Sequence, residues 1–393
     1  MHRQLTKNSV ITLLSFIIMG FFAAIIDYIK PFNPLKEAIS SFSFTDIYYS
    51  ILHTTSKPQE SKLITIVDIN QFQGRGNFAK LLEDIESMHP KVICVDAVFE
   101  GPHLDEPEGD RALADVAEKN SNIIFSMKLE DLYEQDGAWI SGHPIHSYFA
   151  SYVPVAEAFC NMPRGNLYDG MKREIPISAC VDSITYHSMI LKTANMFAEQ
   201  DIINGNNDML SINYSPLQFA KILPGDVLNH PELFDGRIVL IGDLHEAYDQ
   251  HWSPIGEKLA GVEILAYGIQ TLLDKKQVTR LPLPITYPLS FLIVLAMCAL
   301  YDVFQNLTTH SSNMIIKFII SSSYVWSIMV FIVSSLLIFI SFIIFAKWNL
   351  SLSWGWTLSC IAFIDTSKNL YSSVNNYIQI KSMHKHSINA TET

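Results

Sequence analysis

The chain has 393 residues, a net charge of −12 and five cysteines. Residues 27–280 hold 36 of the 39 acidic residues and 20 of the 27 basic ones. A segment this acidic would be repelled by nucleic-acid phosphates and by anionic lipid surfaces, so no nucleic-acid partner is expected. Five cysteines are also too few for a disulfide scaffold.

The first predicted element is a transmembrane helix over residues 10–26. This run has 17 residues and no charged side chain, which is the low end of the length that a bilayer requires. A cleaved signal peptide would need a shorter apolar core and a small-x-small cleavage site. Ala23 and Ala24 are adjacent, and bulky residues follow them. The sequence favours an uncleaved anchor after a cytoplasmic N-terminus, residues 1–9, and leaves cleavage open.

Residues 62–128 alternate between apolar strands and amphipathic helices. Continuous apolar strands separated by helices indicate parallel strands that are buried on both faces and joined by right-handed crossovers. The predicted strands are KLITIVDI, KVICVDAVF and NIIFSMK, and the predicted helices are NFAKLLEDIESM and RALADVAEKN. Residues 27–280 are therefore predicted to form an α/β extracytoplasmic domain with a mostly parallel sheet.

The rest of this domain is less regular. Residues 129–173 are rich in Gly, Pro, Tyr and His and are predicted to be mainly loops. Residues 184–197, ITYHSMILKTANMF, are predicted to form an amphipathic helix. MLSINYS and GRIVLIGD are predicted as further strands, and GVEILAYGIQTLLD as a helix that leads back toward the membrane.

Three further transmembrane helices are predicted at residues 281–303, 318–346 and 349–364. The run at 318–346 is long enough to span a bilayer with tilt. The last run is short, but three tryptophans near it suggest an interfacial belt. A helix that lies on the membrane surface is the alternative for this last segment.

The spans themselves are predicted to carry no charge, since Asp302 and Asp365 are placed at their ends. This argues against a transporter, because charged residues inside spans usually mark transport pathways. Residues 365–393 are predicted to be a cytoplasmic tail. Tyr371, Val374 and Ile378 fall on one helical face there, which is enough for contact with a partner but short of a coiled coil.

Basic residues near the spans set the orientation through the positive-inside rule. Four crossings then place both termini in the cytoplasm and the α/β domain outside, in a bacterial inner membrane. The basic residues assigned to the cytoplasmic side are Arg3, Lys7, Lys317, Lys368, Lys381 and Lys385.

Two of the cysteines leave a question open. Only Cys160 and Cys180 could pair in an oxidising compartment. The alternative is that they are simply buried small hydrophobic residues.

Several segments, in order, resemble the second type of CHASE sensory domain, an extracellular module found with bacterial cyclases and histidine kinases. The resemblance covers about residues 27–364, and it implies one span before the domain and three after it. In that family the last span typically continues into an output domain. The loop GDLHEAYDQHWSP also departs from the small-residue form expected there. The matching segments are ITIVDIN, HPKVICVDAVFEGP, DRALADVAEKNSNIIF, GNLYDGMKREIPI, INYSP, FDGRIVLIGD, DQHWSPIG and GVEILAYGIQTLL.

Asp68, Asp96 and Asp243 each end a predicted strand. Ligands bind at that edge of an open parallel sheet, where the strand order reverses. If the strands are neighbours, the three carboxylates are predicted to form a ligand-binding site. The alternative is that each caps a helix or holds a loop.

No metal or cofactor is expected. The run from His245 to Asp249, HEAYD, is one residue away from a zinc-protease helix, because aspartate stands where the second histidine belongs. The surrounding segment is predicted to be a loop rather than a helix, so metal binding there, with His251 nearby, would be incidental.

These patterns predict a membrane-anchored sensor without catalytic residues, which binds an unknown extracytoplasmic ligand and signals through a partner protein. No nucleophile elbow, phosphate-binding loop or kinase signature is present in the sequence. An extracytoplasmic metal-dependent hydrolase and a structural membrane scaffold are the alternatives. The ligand, the partner and a homo-oligomeric state stay open.

Overall fold

The computed structural model describes residues 2–28, 44–135, 138–163, 170–202, 208–310 and 323–391. The chain divides into two compact units. Ser41–Val278 form one, here named the α/β unit. Met1–Ser40 and Thr279–Thr393 form the other, here named the helical unit.

The helices of the described residues fall into two kinds. Those of the helical unit are long or strongly apolar, and those of the α/β unit are 10 to 13 residues long. In chain order they are α1 His2–Tyr28, α2 Phe44–Thr55, α3 Arg75–Glu86, α4 Pro107–Lys119, α5 Met189–Ala198, α6 Gly261–Leu273, α7 Leu283–His310, α8 Ser323–Trp348, α9 Gly355–Ala362 and α10 Ile364–Thr391.

Most strands lie in the α/β unit. In chain order they are β1 Gln59–Asp68, β2 Val92–Val95, β3 Ile123–Glu130, β4 Tyr133–Gln135, β5 Ala138–Ile140, β6 His143–Ile145, β7 Ala156–Phe159, β8 Glu174–Pro176, β9 Ser178–Val181, β10 Ile184–His187, β11 Met209–Ser211, β12 Leu217–Ile222, β13 Ile238–Gly242, β14 Gln250–Trp252, β15 Lys258–Ala260, β16 Thr279–Arg280 and β17 Leu350–Ser351. The last two pair with each other in the helical unit.

The central sheet is mixed. Its order is β12-β1-β13-β2-β3-β6, with β7 also paired to β3. All of its pairings are parallel except β3–β6, which is antiparallel. The predicted parallel ladder is therefore present at the centre, while the smaller sheets β10-β9-β5-β4, β11-β8 and β14-β15 are mainly antiparallel.

Helices cover both faces of this sheet. The apolar stripes of α3 and α4, which include Leu82, Ile85 and Leu113, pack with alternate strand residues in one buried cluster. The intervening strand residues face the other way, since the Cys94 thiol lies 2.9 Å from the Thr193 hydroxyl of α5. Alternation at period 2 explains why strands buried on both faces are apolar throughout.

One prediction about the irregular part of the α/β unit is wrong, and another is incomplete. Residues 184–187 form β10 rather than the start of a helix, because the positive φ angles of Asp182 and Ser183 turn the chain into a hairpin with β9. Residues 129–173 hold β4 to β7 as well as loops, and β6 and β7 extend the central sheet. Short strands in a segment rich in Gly and Pro leave no clear periodic signal.

Among the described residues, three helices are long and apolar enough to cross a membrane: Gln4–Ile26, Leu283–Leu307 and Val325–Trp348. They correspond to the first three predicted spans. The fourth predicted span, 349–364, is not one such helix. Pairing with β16 keeps its start extended in β17, and a break at Phe363 separates α9 from α10.

Contacts within the helical unit show the directions of these helices. Thr12 Oγ1 donates to Cys298 Sγ at 3.6 Å. Four residues further along α1, the ring of Phe16 lies 6.1 Å from that of Phe291, which precedes Cys298 on α7. The residue numbers rise along α1 while those of the contacted residues on α7 fall, so α1 and α7 are antiparallel.

The segment α9–α10 follows α7 in the same direction. Thr357 Oγ1 donates to Ser290 Oγ at 2.7 Å, and Lys368 Nζ donates to Asp302 Oδ1 at 2.5 Å. Asp302 is thus inside the second candidate span and buried, which corrects its predicted place at the end of a charge-free span. The ion pair with Lys368 accounts for a charge at this position.

Candidate functional site

The carboxyl ends of the parallel strands meet at one edge of the central sheet. Asp68 of β1 is level with Gly242 of β13, and Val95 of β2 is level with Ile241. Although β13 is the last strand of this sheet along the chain, it lies between β1 and β2, so the strand order doubles back here. Such a point is where open α/β sheets bind ligands.

Asp68 is buried and is held by the loop that follows β13. Its Oδ1 accepts the backbone N–H groups of Asn70 at 3.1 Å and Leu244 at 3.2 Å. Its Oδ2 lies 3.2 Å from His245 Nε2. These contacts fit the loop-holding alternative, because backbone N–H groups occupy the carboxylate.

Asp243 makes a local turn. Its Oδ1 accepts the backbone N–H of His245 at 2.7 Å, two residues further along the chain. This geometry is an Asx-turn, which fixes the start of the loop. Asp68 and Asp243 therefore both hold the loop that follows β13, Asp243 from within the loop and Asp68 from the end of β1.

Asp96 has different surroundings. Ser126 Oγ donates to its Oδ1 at 3.3 Å, and the thiol of Cys160 also hydrogen-bonds its carboxylate. Burial and the neighbouring carboxylate of Asp249 raise the pKa of Asp96 to about 6, with a smaller contribution from Glu246. A carboxyl group with this pKa exchanges its proton near neutral pH.

Asp249 connects this site to a helix. Its Oδ2 accepts the backbone N–H of Gly261 at 3.0 Å, at the first residue of α6, and its Oδ1 lies 3.0 Å from His251 Nε2. A Cβ atom at Gly261 would overlap the carboxylate, so glycine is required for this close approach. The carboxylate is favourable there because the N-terminus of a helix carries partial positive charge.

Lys172 supplies a buried ammonium group. Its side chain donates to the backbone carbonyls of Pro163 and Met162. Burial lowers the pKa of Lys172 to about 8, and the nearby charge of Asp249 opposes that shift. The backbone carbonyl of Lys172 also accepts the hydroxyl of buried Tyr214 at 2.5 Å.

These side chains form what is here named the edge cluster: Asp96, Ser126, Cys160, Lys172 and Asp249. Burial and the charge of Asp96 raise the pKa of the Cys160 thiol well above its ordinary value, so this thiol is a poor nucleophile. All five cysteines, including Cys160 and Cys180, are free thiols. In the described part of the chain no group of three or more His, Cys, Asp or Glu side chains could hold a metal ion.

Only Asp96 of the edge cluster was predicted as a site residue. The sequence points to Asp249 only as part of a zinc-like pattern, and to Cys160 only as a disulfide candidate or a buried small residue. Ser126 lies inside an apolar strand and Lys172 in an irregular segment, so neither gives a local signal. Pairing of β3 with β2 and of β7 with β3 brings Ser126 and Cys160 to Asp96, and this pairing cannot be read from local periodicity.

Comparison with known proteins decides the family. Residues 18–301 match the family model described as the CHASE2 domain. The chain belongs to the CHASE2 family. No curated protein and no solved structure matches it.

CHASE2 domains are extracellular sensory domains, and the three candidate membrane helices are compatible with the layout of that family. The chain is therefore a membrane protein with a sensor domain. The family match includes all of the α/β unit and extends into α1 and α7. The edge cluster thus lies inside the CHASE2 domain.

Proposed function

We propose that this CHASE2 protein is a membrane-anchored extracytoplasmic sensor that binds its ligand at the edge cluster and has no enzymatic activity. The observation that carries the proposal is the half-buried carboxylate of Asp96, which faces Asp249 where the strand order doubles back. Two carboxylates close together favour binding of a proton or a positively charged group, because either relieves their repulsion.

Two contacts give this site a route to the membrane helices. Asp249 holds the first residue of α6, and α6 is followed along the chain by the second candidate span. Lys172 is followed by Arg173, which donates from Nε and Nη2 to the carboxylate of Asp46 on α2 at 2.6 to 3.1 Å. In the chain, α2 follows the first candidate span. A shift of Asp249 would therefore move α6, and a shift of Lys172 would move α2. Each of these helices neighbours a candidate span in the sequence.

Aromatic packing supports the α2 contact. Tyr49 of α2 is buried, and its ring lies 6.1 Å from that of Tyr214. The ring of Tyr214 lies 5.1 Å from that of Tyr267 on α6. The two helices are thus joined through one buried residue, Tyr214, whose hydroxyl contacts the backbone of Lys172. Packed side chains of this kind can carry a coupling between sites, which sensing requires.

We further propose four crossings of a bacterial inner membrane, with both termini in the cytoplasm. The antiparallel packing of α1 and α7 supports a position of the residues between them on one side of the membrane, and the match to an extracellular domain family supports the outside. The parallel course of α7 and α9–α10, from Thr357 beside Ser290 to Lys368 beside Asp302, supports a fourth crossing by a broken helix. Lys368 and Lys381 on α10 fit the positive-inside rule for a cytoplasmic end.

Thiol labelling tests this topology. Single cysteines replace Gln4, Glu108 or Ser387 in a background whose five native cysteines are changed to alanine. Glu108→Cys is expected to react with an impermeant reagent in intact cells, whereas Gln4→Cys and Ser387→Cys should react only after permeabilisation. Labelling of Ser387→Cys in intact cells would contradict the fourth crossing.

Signalling is proposed to pass through a partner protein, or through a second copy of this chain. The segment beyond Tyr371 on α10 leaves Val374, Tyr377, Ile378 and Ile380 exposed. Exposed apolar side chains on one helix are a feature of contact surfaces. They support a partner near α10 without identifying it.

Ligand-dependent thermal shifts distinguish the sensor from the hydrolase alternative. The full-length protein in nanodiscs is melted with a panel of small primary amines and cationic metabolites. A ligand at one hundred times its dissociation constant should stabilise wild type by about 2.7 kcal/mol, and should stabilise Asp96→Asn much less. Glu118→Gln, a change at an exposed position of α4, is the matched control and should respond as wild type does. Turnover of an added generic ester or amide substrate, lost in Asp96→Asn, would support the hydrolase instead.

A further inference from the structure

A buried ion pair joins α7 to α10 in the helical unit. Lys368 Nζ donates to Asp302 Oδ1 at 2.5 Å, and each side chain is only 11% exposed. The ammonium group also lies 3.8 Å from the centroid of the Tyr301 ring. Because removing two charges from water offsets most of their attraction, such a pair is a weak reason for stability by itself. The presence of the pair therefore points to a role in fixing how α10 packs against α7.

Polar groups of α1 meet the same region. Ser15 Oγ donates to Ser367 Oγ on α10 at 2.9 Å. Asn8 is 3% exposed, and its side chain hydrogen-bonds the Asp302 carboxylate, yet its own Oδ1 has no hydrogen-bond donor. Buried acceptors without donors raise the free energy of the packed arrangement. The contact between α1, α7 and α10 is therefore incompletely satisfied around one strong ion pair.

The ion pair also lies where the burial of α10 ends. Ser367 is fully buried and Lys368 is 9% exposed. After Lys368 the described side chains up to Lys381 are exposed, apart from the half-buried Tyr371. The apolar cluster of the helical unit ends with the same tyrosine. Lys368 is thus the last firm attachment of α10 to the rest of the unit in the described residues.

We infer that the Asp302–Lys368 pair is a latch with two states, closed when α10 packs against α1 and α7 and open when the pair separates and frees α10. The unpaired Asn8 Oδ1 keeps the closed state from being strongly favoured, because a buried acceptor without a donor raises the free energy of that state. That the freed helix reaches a signalling partner rests on the proposed function. The latch itself does not.

Disulfide crosslinking measures the latch in the full-length chain, without ligand or partner. Ser15→Cys and Ser367→Cys are introduced together after the five native cysteines are changed to alanine, because their side-chain oxygens lie within reach of a disulfide. A second pair, Phe22→Cys with Phe363→Cys, replaces two stacked rings 5.3 Å apart and serves as the reference for a folded bundle.

The latch variants are Asp302→Asn, Lys368→Met and the apolar double variant Asp302→Leu/Lys368→Leu. Each single variant should slow crosslinking of the Ser15–Ser367 pair at least fivefold, because it leaves one buried charge unpaired. The double variant should crosslink at the wild-type rate or faster, because it buries no charge. Asn376→Met, at an exposed position of α10 beyond the ion pair, is the matched control and should crosslink as wild type does.

Three outcomes would overturn the inference. Wild-type crosslinking rates in both single variants would show that the pair does not hold α10. Equal slowing in the double variant would show that packing volume, and not charge pairing, closes the contact. Loss of the Phe22–Phe363 crosslink in the single variants would show general unfolding of the bundle. Because no ligand is used, none of these results depends on whether the edge cluster is a ligand site.

Discussion

Asp96→Asn is expected to raise the free energy of unfolding of the full-length protein by about 2 kcal/mol at pH 7 and to change it little at pH 4. The pKa of Asp96 is raised from 3.8 to about 6 in the folded state, first by burial and then by Asp249. The folded state therefore binds the proton more tightly than the unfolded state does. The stability that this proton contributes is complete below pH 3.8 and is lost as the pH rises through 6.

The magnitude follows from the size of the shift. A difference of about two pH units corresponds to about 3 kcal/mol, and partial exposure of Asp96 to water reduces it to about 2 kcal/mol. Asparagine carries no charge, so the substitution removes the free-energy cost of an ionised side chain at this position at neutral pH. Thermal melts in detergent at pH 4 and pH 7 measure the difference, and the expected rise in Tm at pH 7 is roughly 4–8 °C.

Asp68→Asn is the control for this result. Asp68 ends β1, which β13 separates from β2, at the same level but accepts backbone N–H groups, and the amide oxygen of asparagine can accept them too. Its stability should stay within about 1 kcal/mol of wild type at both pH values. If Asp96→Asn lowers stability at pH 7, or if both variants behave alike, the carboxylate pair at Asp96 and Asp249 is not a repulsive one.

Arg173→Met is expected to lower the free energy of unfolding of the α/β unit by about 2–3 kcal/mol. The substitution leaves the carboxylate of Asp46 without its guanidinium partner, and the two side chains are only 21% and 16% exposed. Breaking one side of a largely buried ion pair costs more than the pair contributes, because the remaining charge stays buried. Chemical denaturation of the full-length protein in detergent measures the loss.

Lys91→Met is the matched control for Arg173→Met. Lys91 forms an ion pair with Glu199 at 2.8 Å, but these side chains are 38% and 76% exposed. An exposed pair contributes about 0–1 kcal/mol, so the control should lose little stability. Equal losses in the two variants would mean that Arg173 is only another surface ion pair and does not hold α2.

The parallel centre of the fold could be predicted because its signals are local. Strands such as β2 and β13 are buried on both faces and are therefore apolar throughout, and α3 buries one face and therefore has apolar residues at helical spacing. The hairpin at Asp182 and Ser183 could not be predicted in this way. Its strands are four residues long, and the following helix shares their apolar character.

The site was only partly predictable for a different reason. The strand-end rule identified Asp96, but the same rule selected Asp68 and Asp243, which hold a loop. The residues that distinguish Asp96, namely Asp249, Cys160 and Lys172, come from distant parts of the chain. Only the folded arrangement brings a second carboxylate to Asp96 and an ammonium group to Asp249.

Hydrogen exchange of the full-length protein at pH 7 tests most directly whether a change at Asp96 reaches the helices next to the spans. Asp96→Asn stands in for the uncharged, occupied site. Relative to wild type, amide protection is expected to rise more in α2 and α6 than in α4, which packs on the other face of the sheet and records any general gain in stability. In Asp96→Asn combined with Arg173→Met, the extra protection of α2 should disappear while that of α6 remains. An equal rise in all three helices, or a change confined to residues 243–252, would contradict a sensor that signals through α2 and α6.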